Sequence, residues 1–174
     1  LLHNLTVLKK MSSSKIMIMV KANAYGHGLK EIALLLKDQD VSFGVAAIDE
    51  AVILRKANVK NPIFLFDGGA SSDQSHVLVK EEITPIITDL RSIDSLEAAL
   101  YGSTHKKKVH IKIDSGFTRL GFDYQKLLSG KLDHVLLRLK NSKTLELDGV
   151  ATHFVTTDDF IDVQSFRFQE VVDY

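Results

Sequence analysis

Short runs of β-branched and apolar residues alternate along this chain with longer stretches in which apolar residues recur every three or four positions. The first pattern predicts strands and the second predicts amphipathic helices. Strands are expected at Ile16–Val20, Phe43–Ala47, Ile63–Phe66, Thr84–Ile87, Val109–Ile113 and Leu147–Thr152. Helices are expected at Leu29–Lys37, Asp49–Ala57, Ser72–Lys80, Asp89–Leu100 and Tyr124–Lys140. A leading helix is expected over Leu1–Met11, and a last one from near Asp162 to Tyr174. In Leu29–Lys37, Ile32, Leu35 and Leu36 share a face while Lys30 and Lys37 point away. Asp89 is a candidate N-cap for its helix. Strands that alternate with helices make βα units and a parallel sheet. About six such units are counted. An open doubly wound sheet and most of a (β/α)8 barrel both fit, and periodicity leaves the two open.

Composition narrows the class. The 174 residues suit one domain, and 45% hydrophobic content can bury a sizeable core. Basic and acidic residues cancel at 22 each, which argues against a nucleic-acid binder. There are no cysteines, so disulfides and thiolate metal sites are excluded. No apolar run reaches the roughly 18 residues of a membrane span, and no signal-peptide pattern occurs. The absence of cysteines suits a cytoplasmic enzyme, and a cytoplasmic location with no membrane partner is expected. The chain begins Leu1-Leu2-His3 and stops at Tyr174 inside an expected helix, so both ends are expected to be cut.

Candidate chemistry collects where strands end, as it does in both architectures. Lys21-Ala-Asn-Ala-Tyr-Gly-His-Gly28 follows the first strand, and Phe66-Asp-Gly-Gly69 the third. Asp114-Ser-Gly-Phe-Thr-Arg-Leu-Gly121 follows the fifth, and His153-Phe-Val-Thr-Thr-Asp158 the sixth. A lysine directly after an apolar strand is partly desolvated, which frees its amine as nucleophile and base. The same lysine could instead snorkel outward. Gly26 and Gly28 allow tight turns. Gly68-Gly69 is too short to read as a phosphate loop, and the histidines show no metal-ligand spacing, so no metal is expected.

Four segments carry a family resemblance. Lys21–Gly28, after Met19-Val20, resembles the cofactor-lysine signature of alanine racemases. Phe43-Gly-Val-Ala-Ala-Ile-Asp-Glu-Ala51 with Leu54-Arg55 resembles the family's second βα unit. Lys112-Ile-Asp-Ser-Gly-Phe-Thr-Arg-Leu-Gly121 and Asp148-Gly-Val-Ala-Thr-His-Phe154, with Thr157-Asp158, resemble two later segments. Phe117-Thr118 and Thr157 depart from the usual residues there.

The resemblance implies the TIM-type (β/α)8 barrel and pyridoxal 5'-phosphate as cofactor. It implies that Lys21 forms the imine with the cofactor and moves a proton at the substrate α-carbon. It puts the Tyr25 hydroxyl near the cofactor phosphate and Phe66 near the cofactor. It has Arg119 face the cofactor's phenolic oxygen and the substrate carboxylate, and His153 flank the ring. It makes Lys112 a candidate carbamylated lysine that orients Arg119.

The activity it implies is a two-base interconversion of L- and D-alanine, the D-isomer being a peptidoglycan precursor. A racemase of another small amino acid such as serine, or a non-enzymatic pyridoxal-phosphate barrel, stands as the alternative. Residues 1–174 are expected to be a partial barrel without the family's C-terminal β-domain. That domain would bring the second base in a homodimer, so the isolated chain is expected to be inactive.

Overall fold

The computed structural model describes residues 1–66, 72–155 and 158–174. The chain divides into two compact units, Leu1–Asp67 with Lys80–Ile83, and Gly68–Val79 with Thr84–Tyr174.

The first unit opens with helix α1 (Leu2–Met11), then runs through β1 (Met17–Met19), the short turn α2 (Lys21–Tyr25) and α3 (Leu29–Leu36). It continues with β2 (Ser42–Val45), α4 (Ile48–Lys56) and β3 (Ile63–Leu65). The three strands are parallel, with Ile18 opposite Phe43 and Phe43 opposite Ile63. Val20, Phe43, Val45, Leu54 and Ile63 are almost wholly buried and form its core. A side chain the size of Phe43 contributes about 2–3 kcal/mol by leaving water. Arg55, near the C-terminus of α4, fastens the unit together. Its guanidinium donates to the carbonyls of Val59, Asn61, Glu81 and Glu82 at 2.8–3.1 Å. Burial lowers its pKa, and Glu82 and Glu81 work against that.

The second unit contains α5 (Ser72–Lys80) as far as Val79, then β4 (Thr84–Ile87), α6 (Leu90–Ala99) and the long β5 (Lys107–Asp114). There follow the two-residue β6 (Phe122–Asp123), α7 (Tyr124–Leu128), α8 (Asp133–Asn141), β7 (Leu145–Ala151) and α9 (Asp158–Asp173). Strand β5 pairs in parallel with β4, β6 and β7. Ile93, Leu96, Ile111, Ile113 and Leu127 fill the core beneath it.

Each expected strand and helix has a counterpart, and the differences have local causes. The helix expected over Tyr124–Lys140 is two, α7 and α8. Gly130 at φ +75 lies between them, a conformation that ends an L-residue helix. Strand β6 is too short to show a period. The last helix begins at Asp158, earlier than expected. Asp89 does cap α6, its carboxylate accepting the Ser92 N–H at 3.0 Å. The Asp67-Gly68-Gly69 segment and Thr157 lie outside the described residues.

Candidate functional site

The first unit carries Lys21, Tyr25 and Phe66. Lys21 is the first residue of α2, which follows the buried Val20 at the end of β1. The turn is not an ordinary helix. Ala22, Asn23, Ala24 and Tyr25 all adopt the left-handed conformation, with φ between 51 and 55. For L-residues that geometry costs roughly 1–2 kcal/mol each, so the surroundings must hold it in place.

Several hydrogen bonds do so. The Ala24 N–H donates to Val20 O at 2.8 Å, and both Gly26 N–H and Gly28 N–H donate to Asn23 O at 3.0 Å. The Asn23 side-chain oxygen accepts the Leu29 N–H at 2.8 Å and so anchors the turn to the start of α3. The Glu50 carboxylate accepts the Ala22 N–H at 2.6 Å. Gly26 leaves the turn at φ +90, where an L side chain would add further strain.

Lys21 is half-buried and Tyr25 is 62% exposed. Among the described residues, neither the Lys21 amine nor the Tyr25 hydroxyl makes a hydrogen bond or ion pair. Phe66, just past β3, is half-buried, and its N–H donates to Val45 O at 2.9 Å. Its ring edge would stand 3.2 Å from any Cβ added at Gly44.

The second unit brings Lys112, Arg119 and His153 into one cluster. Lys112 lies on β5 and is only 6% exposed. Burial lowers its pKa; Asp114 acts to raise it and Arg119 to lower it further. Asp114 is spent on the loop that follows β5, accepting the Gly116 N–H at 2.9 Å and the Thr118 N–H at 3.0 Å. These bonds shape the loop backbone.

The loop is tight. Gly121 sits at φ +119, and a Cβ there would lie 2.7 Å from the Lys112 carbonyl oxygen. The Arg119 guanidinium stacks over the Phe117 ring at 4.4 Å from its centroid. The same ring meets the His153 imidazole edge-on, with centroids 4.7 Å apart. Arg119 is exposed, and among the described residues its N–H groups make no ion pair.

His153 is held from behind by Gln164, which is fully buried. The Gln164 amide donates to His153 O at 3.4 Å, and its oxygen accepts the Val155 N–H at 2.7 Å. The Ser115 and Thr152 hydroxyls bond at 2.8 Å, and the Thr152 hydroxyl also donates to Ile113 O at 2.9 Å, which ties the ends of β5 and β7 together.

Three contributors escaped the sequence reading. Phe117 stood out only as a departure from a motif. Glu50 had a readable signal, because an acidic residue at the third position of a helix commonly caps it. Gln164 gave none, since a glutamine on a helix carries no mark of burial.

The chain matches the family described as alanine racemase, N-terminal domain, over residues 1–174. It is 34% identical over 160 residues to alanine racemase 1 of Caldanaerobacter subterraneus subsp. tengcongensis, covering 90% of this chain and 40% of that protein. Among solved structures it is similar to the alanine racemase of Clostridium difficile 630 in complex with cycloserine. That likeness has a TM-score of 0.87 at 28% identity and covers 98% of this chain and 47% of that one. It is also similar to a histidine racemase from Leuconostoc mesenteroides subsp. sake, with a TM-score of 0.84 at 28% identity, covering 99% of this chain and 46% of that one. The chain thus spans about half the length of the relatives it matches.

Proposed function

Because this chain belongs to the alanine racemase N-terminal domain family, a (β/α)8-barrel family, we propose that it is the cofactor-holding part of a pyridoxal-phosphate-dependent racemase acting on alanine. The observation that carries the reading is Lys21. It is an uncommitted amine immediately after β1, on a backbone turn that the surrounding hydrogen bonds hold in a costly conformation.

The donor set fits an anionic cofactor and an amino-acid substrate. The first unit supplies an amine and a phenol, and the second a guanidinium and an imidazole; among the described residues the amine and the guanidinium make no ion pair. Pyridoxal phosphate, when bound, supplies an electron-withdrawing ring that makes the substrate Cα–H acidic.

The chain's own residues do the rest. Lys21 would hold the cofactor through Nζ and, with its amine free, would move a proton at the substrate Cα on one face. The Tyr25 hydroxyl would serve as a donor to the cofactor phosphate. Arg119 would offer its planar fork to the substrate carboxylate and the cofactor's phenolic oxygen. His153 and Phe66 would be the residues that flank the cofactor ring.

Lys112 is set for carbamylation. Burial favours its neutral amine, which adds carbon dioxide with loss of one proton and becomes an anion beside Arg119. The second base, the C-terminal β-domain and the homodimer belong to the proposal for the full-length enzyme, as does a cytoplasmic role in supplying D-alanine for peptidoglycan.

Borohydride reduction of the cofactor-loaded full-length enzyme, followed by peptide mapping, tests the reading. The label is expected on Lys21. A label confined to another lysine such as Lys112 would sink it. A second reading, in which the substrate is a different amino acid, is favoured by the likeness to a histidine racemase. Comparing turnover of alanine, serine and histidine by the full-length enzyme separates the two.

A further inference from the structure

We infer that Glu50 is a positioning residue for Lys21: from the first turn of α4, its carboxylate fixes the peptide plane on which the cofactor lysine stands. The inference rests on the reading of Lys21 given above.

The two carboxylate oxygens of Glu50 have separate tasks. Oε2 accepts the N–H groups of Ala46 and Ala47 at 3.0 and 3.1 Å, which is ordinary helix capping. Oε1 accepts the Ala22 N–H at 2.6 Å, from a residue 28 positions earlier in the chain. That bond adds nothing to α4. It acts on the peptide joining Lys21 to Ala22, whose orientation is the ψ of Lys21. Ala22 is also the first of the four left-handed residues, so the bond acts where the chain changes hand.

A carboxylate suits the task because all three partners are donors. A glutamine has one oxygen and would turn its NH2 onto N–H groups on the other side. It must therefore abandon either the cap or the lysine turn. An aspartate lacks the reach to serve both. Glu50 is half-buried, so water does not freely replace a lost bond.

The test uses the full-length enzyme and three readouts: the rate at which added pyridoxal phosphate becomes trapped by borohydride on Lys21, amide hydrogen exchange at Ala22, and melting temperature. Glu50→Gln is expected to slow trapping at Lys21 at least tenfold and to speed Ala22 exchange. Adding Ala47→Ser gives α4 a side-chain cap of its own. The double variant should recover the melting temperature but not the trapping rate. It also carries the comparison if Glu50→Gln alone folds poorly. Trapping at the wild-type rate in Glu50→Gln, or recovery of trapping along with stability in the double variant, would overturn the inference and leave Glu50 a helix cap. If the wild-type enzyme takes no label on Lys21, the cofactor reading itself falls, and this inference falls with it.

Discussion

The two units hold their candidate residues by different means. In the first, Lys21 and Tyr25 are positioned by backbone conformation. Four left-handed residues are fixed by hydrogen bonds to main-chain atoms, to Asn23 and to Glu50. In the second, Arg119 and His153 are positioned by side-chain stacking on the two aspects of one phenyl ring, above a loop pinned by Asp114. A backbone-held residue tolerates little rotation but leaves its own side chain uncommitted, as the role proposed for Lys21 requires. A stacked guanidinium keeps its in-plane N–H edge open while its face is occupied, as the carboxylate-binding role proposed for Arg119 requires.

The comparison can be broken most forcefully at Gly121. Gly121→Ala puts a methyl against the Lys112 carbonyl in a backbone conformation that alanine resists. A loss of about 3 kcal/mol is expected, read by denaturant unfolding. Labelling at Lys21 under conditions where the protein stays folded should be unaffected.

In the first unit, Asn23→Ala removes both a left-handed-tolerant residue and the acceptor for Leu29 N–H. It should cost roughly 1–2 kcal/mol and slow cofactor attachment. Unchanged stability and attachment would mean that the turn does not depend on that anchor.

Phe117→Leu keeps the bulk but removes the π face. The stacking it forfeits is worth roughly 0.5–1 kcal/mol. The expected signature is a higher KM for the amino-acid substrate with little change in stability. A change confined to stability would reduce Phe117 to packing.

The smallest effect concerns His110, on β5 beside Asp148 at 3.6 Å. Burial lowers its pKa below the ordinary 6.5, and Asp148 only partly opposes this. The unfolded chain therefore takes up the proton first as pH falls below 6.5. Stability should decline from there until the folded form is protonated too. His110→Gln should flatten that part of the melting-temperature profile, and an unaltered slope would reject the assignment.

Much of this architecture was legible in the residues themselves. The strands announced themselves through the apolar run Ile16–Val20 and through Val109–Ile113, where the β-branched Val109, Ile111 and Ile113 alternate with polar residues and are buried. Asp89 was readable as a cap because capping is a local bond over three residues. The β5 loop was readable through its motif, whereas the burial of Lys112 is a feature of the folded strand. What escaped was either non-local or conformational. The Glu50 bond to Ala22 spans 28 residues, and the Gln164 contacts depend on how α9 lies against the end of β7. The left-handed run was hidden because alanine, a strong helix former, is the residue least expected there. The break in Tyr124–Lys140 hung on Gly130 alone, inside a stretch whose apolar spacing was otherwise helical.

The left-handed run also bears on how this stretch would behave in a mutational scan. Locally, Ala22–Tyr25 is the mirror image of an ordinary helical turn, so every side chain larger than a methyl brings its branching atoms toward a carbonyl. Valine or isoleucine at Ala22 would be rejected by stereochemistry alone, although the Ala22 side chain is exposed and touches no reacting group. Intolerance at such a position would look like a catalytic requirement while reporting only handedness. A residue of the opposite chirality, introduced by chemical synthesis, would find its preferred torsion angles already in place there.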